Sequence, residues 1–495
     1  MTPAQATAVL APSVPALWDE LAGQVAAGAR LADLFATALP GGLLLTAHLA
    51  GPAGIRTLEA LLPPGTGAYP ALTPRLGAAF WYEREIHDLF GVTPEGHPRL
   101  QPLILTPAAQ PPRPGADGQP AAAEPEPGIL PSHVAGPGLF TIAHGPVRSG
   151  VVESIEYLVE TPGEEIPHLN MRIGYKHRGI EKRFEGLAPA DGVLLAERTE
   201  GIASVAHAVA YCHALERMAG ADVPRAAGLV RVLHAELERL ACHLDVIVRL
   251  ADAAGLAVAT ARFGWHKEQV LRLVSRLCGS RFGRGVVVPG GVAGPLLITP
   301  GDLEAAAGEL DERIRADLEV LLGTASFLDR LRRTGPLPRE RAREHGALGP
   351  VGRASGRTED ARQAWPYDAY DSLAVRAVSR PDGDALARLE VRAEEIAESF
   401  RLLRLAAGEL AGAGGEPLRV PCEPADGRAV SWAEAPQGEV LYDVRVAGGL
   451  IRRCRARSAS FHNLVLMHEV FAGDILTDFP FIEASFGLSV AGAAR

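Results

Sequence analysis

Three ionisable residues stand out by their setting. Arg353, Asp360 and Arg362 lie in the run Gly349 to Tyr370 (Gly-Pro-Val-Gly-Arg-Ala-Ser-Gly-Arg-Thr-Glu-Asp-Ala-Arg-Gln-Ala-Trp-Pro-Tyr-Asp-Ala-Tyr). Glycines, prolines and aromatics surround them, which places their charges close to tightly turned backbone. A second set, Glu236, Arg239 and His243, is spaced i, i+3, i+7. On a helix that spacing gives one polar stripe, and periodicity alone reads it as a solvated face. Thiol chemistry finds little support. The five cysteines (Cys212, Cys242, Cys278, Cys422 and Cys454) are scattered and none forms a CxxC pair. That pattern suits a reducing compartment. No glycine-rich nucleotide fingerprint follows a strand, so the chain itself is not expected to bind NADH.

Positioning these residues requires more than one folded unit, because 495 residues exceed an ordinary domain. The 47% hydrophobic content can fill sizeable cores, and the net charge of −10 argues against a nucleic-acid partner. No apolar run approaches the ~20 residues of a membrane helix. The first twenty residues show no signal-peptide pattern, so membrane association would pass through partners. The first module spans 1–105: a helix-like stretch from Ala16 to Leu39, a strand-like run from Gly42 to Ala50, and a charged segment from Phe80 to Leu100. Thr106 to Gly138 is dense in proline, alanine and glycine and reads as a linker. The second module, 139–495, opens with strand-like Val151 to Val159 and is otherwise mostly helical. One helix begins near Pro224 and carries Leu233, Leu237, Leu240, Leu244 and Ile247 on one face. Others run from Asp302 to Leu331 and from Asp384 to Leu405. Long helices with narrow apolar seams predict a bundle. The fold class is thus an α+β N-terminal domain followed by a mainly helical domain with small opening strands.

Several motifs carry a family resemblance. Trp81-Tyr-Glu-Arg-Glu-Ile-His-Asp-Leu-Phe-Gly91, followed by Glu95-Gly-His-Pro98, reads alone as an ion-paired surface helix. It also closely resembles the signature of the thirty-kilodalton subunit of respiratory complex I. Tyr175-Lys-His-Arg-Gly-Ile-Glu-Lys182, Glu197-Arg-Thr-Glu-Gly-Ile-Ala-Ser-Val-Ala-His207, Leu229 to Leu244, Gly349 to Tyr370 and Arg457-Ser-Ala-Ser-Phe461 resemble two related subunits: the forty-nine-kilodalton quinone-site subunit of complex I and the large subunit of energy-converting nickel–iron hydrogenases. The whole chain resembles a fusion of the two complex I subunits, an arrangement typical of formate hydrogenlyase-type and hydrogenase-4-type complexes.

The resemblance decides whether a metal is expected. Hydrogenase large subunits bind nickel and iron through two cysteine pairs, because soft thiolates suit these metals. Here the first pair is Glu200 and Ala203, and the second is Ser489 and Gly492. Gln437, in Glu434-Ala-Pro-Gln-Gly-Glu439, replaces an arginine that contacts the iron's diatomic ligands. No metal is therefore expected. The quinone ligands of complex I are altered too. Arg148 and Val152 stand at two histidine positions and Leu195 at a tyrosine position, with His144 nearby. The resemblance implies a polar cavity beside a partner's cluster, drawn from His177, Arg178, Glu181, Arg198, Glu200, His207, Glu236, Arg239, His243, Arg353, Asp360, Arg362 and Asp478. It implies an oxidoreductase subunit, inactive alone, in the peripheral arm of an ion-translocating redox complex at the cytoplasmic face of the cell membrane. An iron–sulfur cluster would sit in a small partner subunit, with antiporter-like membrane subunits beyond it. Quinone stays open as a ligand. The alternatives are a non-catalytic scaffold linking the iron–sulfur subunit to membrane subunits, and an active hydrogenase component.

Overall fold

The computed structural model describes residues 8–105, 138–149, 152–471 and 473–495. The expected linker lies outside these residues except for Gly138. In the first module, the Ser13 hydroxyl caps the helix Val14–Ala26 by accepting the Ala16 N–H. The expected helix to Leu39 is not formed. The chain turns at Gly28, whose φ of +103° favours glycine, and continues as the strand Arg30–Leu39. This strand pairs antiparallel with Gly42–Gly51, which pairs with Gly54–Leu62. Val9–Leu10 adds in parallel at the far edge.

The charged segment Phe80–Phe90 is a helix, but not an exposed one: Glu83, Arg84, Glu85, His87 and Asp88 are all buried. Glu83, Arg84 and Asp88 are satisfied by backbone groups of neighbouring loops, whereas Glu85 pairs with Arg455 and Arg495. Glu83 accepts the N–H groups of Leu72 and Thr73, and Asp88 those of Leu103, Ile104 and Leu105. Arg84 donates to the carbonyls of Gln101 and Pro102. A buried charge is tolerated when hydrogen bonds replace its water.

The second module opens with the antiparallel sheet Phe140–His144, Glu156–Thr161, His168–Arg172. Its centre is the helix Arg225–Ala253, packed against Ala257–Cys278 and Ala385–Gly412. The predicted seam is the core, with Leu233, Leu237, Leu240, Leu244 and Ile247 fully buried. The helix expected over Asp302 to Leu331 is two, Pro300–Leu322 and Ala325–Leu331, broken at Gly323 and Thr324. A second antiparallel sheet, Gly427–Ala435, Gly438–Ala447 and Leu450–Arg457, was not expected in a helical module.

This sheet meets the first module. Arg455 pairs with Asp33 at 2.8 Å and with Glu85 at 2.7 Å, His48 lies 3.0 Å from Asp443, and Arg30 lies 2.7 Å from Glu439. One hydrophobic cluster runs through Leu17, Leu45 and Trp81 of the first stretch and Leu464, Phe479 and Ile482 of the second.

Candidate functional site

The thirteen residues singled out above fall into five places. The largest group is a closed ionic cluster. Helix Arg225–Ala253 supplies Glu236, Arg239 and His243. The segment around Gly349–Arg353 and Ala361–Ala364 supplies Arg353, Asp360 and Arg362. Every one is at most 2% exposed. The stripe on helix Arg225–Ala253 is therefore an interior face, not a solvated one. It is tolerated because each charge meets an opposite one.

Arg362 holds Asp360 with two nitrogens, at 3.0 and 2.7 Å, and reaches Glu236 at 2.9 Å. Glu236 also accepts the hydroxyls of Tyr370 and Ser399, both at 2.6 Å, and lies 3.4 Å from Arg239. Two carboxylates outside the thirteen complete the cluster. Glu395 receives Arg353 at 2.8 Å and lies 2.7 Å from His243 Nε2. Glu434 receives Arg353 Nη1 at 3.0 Å and the Ala361 N–H at 3.1 Å. Arg239 donates to the backbone carbonyls of Glu434 and Ala435.

Electrostatics sort these groups. Burial pushes Asp360 up, but Arg362 and Arg353 outweigh it and hold the carboxyl well below its usual range. Glu236 is drawn down in the same way by Arg362 and Arg239, and Glu395 by Arg353 and His243. Burial, with Arg392 and Arg239 nearby, lowers His243 to about 4, so its ring is neutral near pH 7. Glu434 moves the other way: burial first, then Asp360, raise it to about 7.

Glycines hold the two sides of the cluster together. Gly349 has φ +55°, and a Cβ there would stand 2.1 Å from the Gln437 carbonyl oxygen. Gly438 has φ +125°, and its Cβ would stand 2.7 Å from the Gly349 nitrogen. Only glycine permits this backbone contact between the turn after Glu434 and the helix that carries Arg353.

The second place gathers the former thiolate positions. Glu200 is 1% exposed; its Oε1 lies 3.1 Å from His207 Nε2 and its Oε2 accepts the Ser460 hydroxyl at 3.0 Å. His207 Nδ1 lies 2.9 Å from the Tyr442 hydroxyl. A Cβ on Gly492 would stand 1.8 Å from Glu200 Oε2, so the carboxylate fills the space a side chain there would need. Ser489 accepts the Gly492 N–H at 3.1 Å and donates to Glu153 at 2.9 Å. Ala203 offers only a methyl group. The donors are hard oxygens in a closed hydrogen-bond set, so the residues do not fit a nickel–iron centre. No group of three or more His, Cys, Asp or Glu side chains able to hold a metal occurs among the described residues.

The remaining predicted residues stand apart from both groups. Arg178 donates to the carbonyls of Arg198 and Ala491, at 2.8 and 3.1 Å. The Arg198 side chain is about half exposed, 3.3 Å from Glu197, and does not join Arg353 and Asp360. His177 and Glu181 line a cleft of about 390 Å³ between the modules, with Glu85, Arg453 and Arg495. Glu181 is held below its usual range: burial raises it, but Arg455, Arg453 and Arg495 lower it more. Asp478 lies at the start of helix Phe479–Phe486, 3.4 Å from Arg330.

Sequence reasoning missed Glu395 as a site residue, and it quoted Glu434 only as part of a loop. A signal for the former exists. Arg388, Arg392, Glu395 and Ser399 recur at helical spacing beside Leu389, Ile396 and Leu403, and all are buried.

Comparison with known proteins finds two families along the chain. Residues 24–120 match the family described as respiratory-chain NADH dehydrogenase, 30 Kd subunit, and residues 255–421 and 418–495 match the respiratory-chain NADH dehydrogenase, 49 Kd subunit. Formate hydrogenlyase subunit 5 of Escherichia coli K12 is 28% identical over 444 residues, covering 84% of this chain and 75% of that protein. An NADH-quinone oxidoreductase subunit of Deinococcus radiodurans is 31% identical over 268 residues, covering 54% of this chain and 67% of that protein. A chain of the membrane-bound sulfane sulfur reductase, an archaeal respiratory membrane complex, shares the fold with a TM-score of 0.68. It is 23% identical, and the match covers 72% of this chain and 99% of that one. This chain belongs to the family of complex I forty-nine-kilodalton subunits and energy-converting hydrogenase large subunits, with a domain of the thirty-kilodalton kind ahead on the same polypeptide.

Proposed function

We propose that this chain is a peripheral-arm subunit of a membrane-bound redox complex of the complex I-like, hydrogenase-related kind, and that it takes part in electron transfer coupled to ion translocation. One observation carries the reading. The family's charged segments form a buried cluster in which acidic and basic groups pair, while the Glu200 carboxylate fills the space beside Gly492. The chain keeps the polar interior and lacks the nickel ligands. In this reading a small partner subunit holds the iron–sulfur cluster, and membrane subunits, antiporter-like ones among them, lie beyond. The chain sits peripherally at the cytoplasmic face of the membrane. Among the described residues no helix is long and apolar enough to cross a membrane, which agrees with attachment through partners. Residues 1–105 and 139–495 are read as two units joined by 106–138.

The test is purification of the tagged chain from its native membranes, with identification of co-purifying subunits, metal analysis and a quinone-reduction assay. The expected result is an iron–sulfur protein and integral membrane subunits in fixed ratio, iron without stoichiometric nickel, and turnover with quinone. A chain purified without such partners, or with one nickel per chain, overturns it. The closed Glu200 site also favours a second reading, a scaffold with no redox step of its own. A complex that assembles and passes no electrons would support that instead.

A further inference from the structure

The ionic cluster is unevenly partnered. Arg239, Arg353 and Arg362 face four carboxylates, Glu236, Asp360, Glu395 and Glu434. A fourth buried guanidinium, Arg392, acts on Glu395 through space and donates to none of the four. All of these groups are at most 3% exposed, and a carboxylate so deeply buried with little positive charge against it is strongly unfavourable. A proton on such a carboxylate relieves it.

The partners identify which group. Asp360 has both oxygens on Arg362. Glu236 has Arg362, Arg239 and two hydroxyls. Glu395 has Arg353 Nε and His243. Glu434 has the weakest claim on positive charge. Its one charged partner is Arg353 Nη1 at 3.0 Å, and Asp360 Oδ2 faces that same nitrogen at 3.5 Å. Arg239 turns its Nη donors to the Glu434 and Ala435 carbonyls rather than to the Glu434 carboxylate. Two carboxylates on one nitrogen are the arrangement in which one of them keeps its proton. Arg239 and Arg362 act on Glu434 through space, but neither donates to its carboxylate, and burial and Asp360 outweigh them. Tyr367 accepts the Glu434 N–H through its hydroxyl oxygen, and His243 is turned to Glu395. Arg392 lies on the Glu395 and His243 side and donates to the carbonyls of Arg388 and Phe486.

We propose that Glu434 is a proton-binding site, holding one exchangeable proton because Asp360 competes with it for Arg353. This deepens the function proposed above and rests on it for its purpose: an electron arriving in a neighbouring subunit is matched by a proton taken up here, as carboxylate plus proton gives carboxylic acid. Arg353 Nη1 also donates to the carbonyl of Glu359, an exposed residue. Burial and the neighbouring Asp360 raise Glu434 into the physiological range, so the proton can be gained and lost there.

The test uses the full chain, alone or in its complex, so failure of the partner assignment leaves it interpretable. Infrared difference spectra between acidic and alkaline samples are recorded for wild type, Glu434→Gln and His243→Asn. The expected result is a protonated-carboxyl band in the wild type that is present on the acid side of neutrality, lost on the alkaline side and shifted in deuterium oxide. Glu434→Gln removes that component, and His243→Asn keeps it. Glutamine mimics the neutral acid, so Glu434→Gln should fold. If it does not, Glu434→Asp serves, with the expected outcome a displaced band. A component unchanged in Glu434→Gln or Glu434→Asp, or abolished by His243→Asn instead, overturns the assignment, as does its absence from the wild type.

Discussion

Replacing Gly492 by alanine tests whether the Glu200 carboxylate occupies the former metal-ligand position. An alanine Cβ there would lie 1.8 Å from Glu200 Oε2, 2.7 Å from its Cδ and 3.1 Å from its Cβ. The carboxylate must retreat by more than 1 Å to reach ordinary contact. It cannot do so freely, because Oε2 holds the Ser460 hydroxyl and Oε1 faces His207. Overpacking costs about 1–3 kcal/mol, and losing a hydrogen bond to a charged group about 1.5–3 kcal/mol. The helical preference of alanine over glycine returns roughly 0.5–1 kcal/mol. The net destabilisation is about 2–5 kcal/mol, the difference of these terms. In a Glu200→Ala background the carboxylate is gone and only the 3.1 Å contact with the residue-200 Cβ remains. The same replacement should then be close to neutral. Urea unfolding of wild type, both single variants and the double variant gives the coupling directly, and a value of about 2 kcal/mol or more is expected. Additive effects, with Gly492→Ala equally harmful in both backgrounds, would refute the closed-site geometry.

Replacing Asp360 by alanine removes the group held by Arg362 on two nitrogens. It should destabilise the chain by about 3–5 kcal/mol in thermal unfolding, whereas a change below 1 kcal/mol would mark these charges as weakly engaged. Asp360, Glu236 and Glu395 all stand below their usual range, so the folded chain binds fewer protons than the unfolded one in acid. Their stabilisation is complete above about pH 4.5 and is lost as pH falls further. Acid unfolding should therefore set in below that point, and Glu395→Gln should flatten the slope. Glu434 has the opposite sign. Raised to about 7, it stabilises the fold on the acid side and loses that contribution as pH rises to neutrality, so the stability of the wild type measured against Glu434→Gln should decline from about pH 5 to 7. Residues 1–105 and 106–495 produced as separate chains should co-purify through the Arg455, Asp33 and Glu85 pairs. Arg455→Met should weaken their association, read as a raised dissociation constant, and an unchanged affinity of that variant would contradict the role given to this contact.

What could be read from the chain followed local periodicity. The apolar seam of helix Arg225–Ala253 gave its buried face directly, because every fourth residue or so is leucine or isoleucine. The strand Gly42–Gly51 was legible as an apolar run. Partners far apart in sequence were not. Glu236, Arg239 and His243 have a solvated pattern, and their burial depends on Arg362, 126 residues away, and Glu395, 152 residues from His243. The same holds for Phe80–Phe90, where Glu83 and Asp88 are met by loop backbone and Glu85 by Arg455, 370 residues away. The sheet Gly427–Arg457 escaped notice because strand Gly438–Ala447 has Glu439, Asp443 and Arg445 scattered along it. Each is matched by a charge from the first module or a neighbouring strand. The former thiolate positions could be named only by resemblance, and that Glu200 lies against Gly492 needed the fold.

The contact between Gly349 and Gly438 acts as a joint. Beyond it, strand Gly438–Ala447 runs for 10 residues, roughly 30 Å at the rise of a β-strand. It passes Glu439, paired with Arg30, and Asp443, beside His48. With no side chain cushioning the junction, a displacement of the Arg353 segment has nowhere to dissipate locally. It is handed to a stiff rod whose length is anchored in the other module. The strand thus ties the segment that carries Arg353 to the first module through one continuous length of backbone.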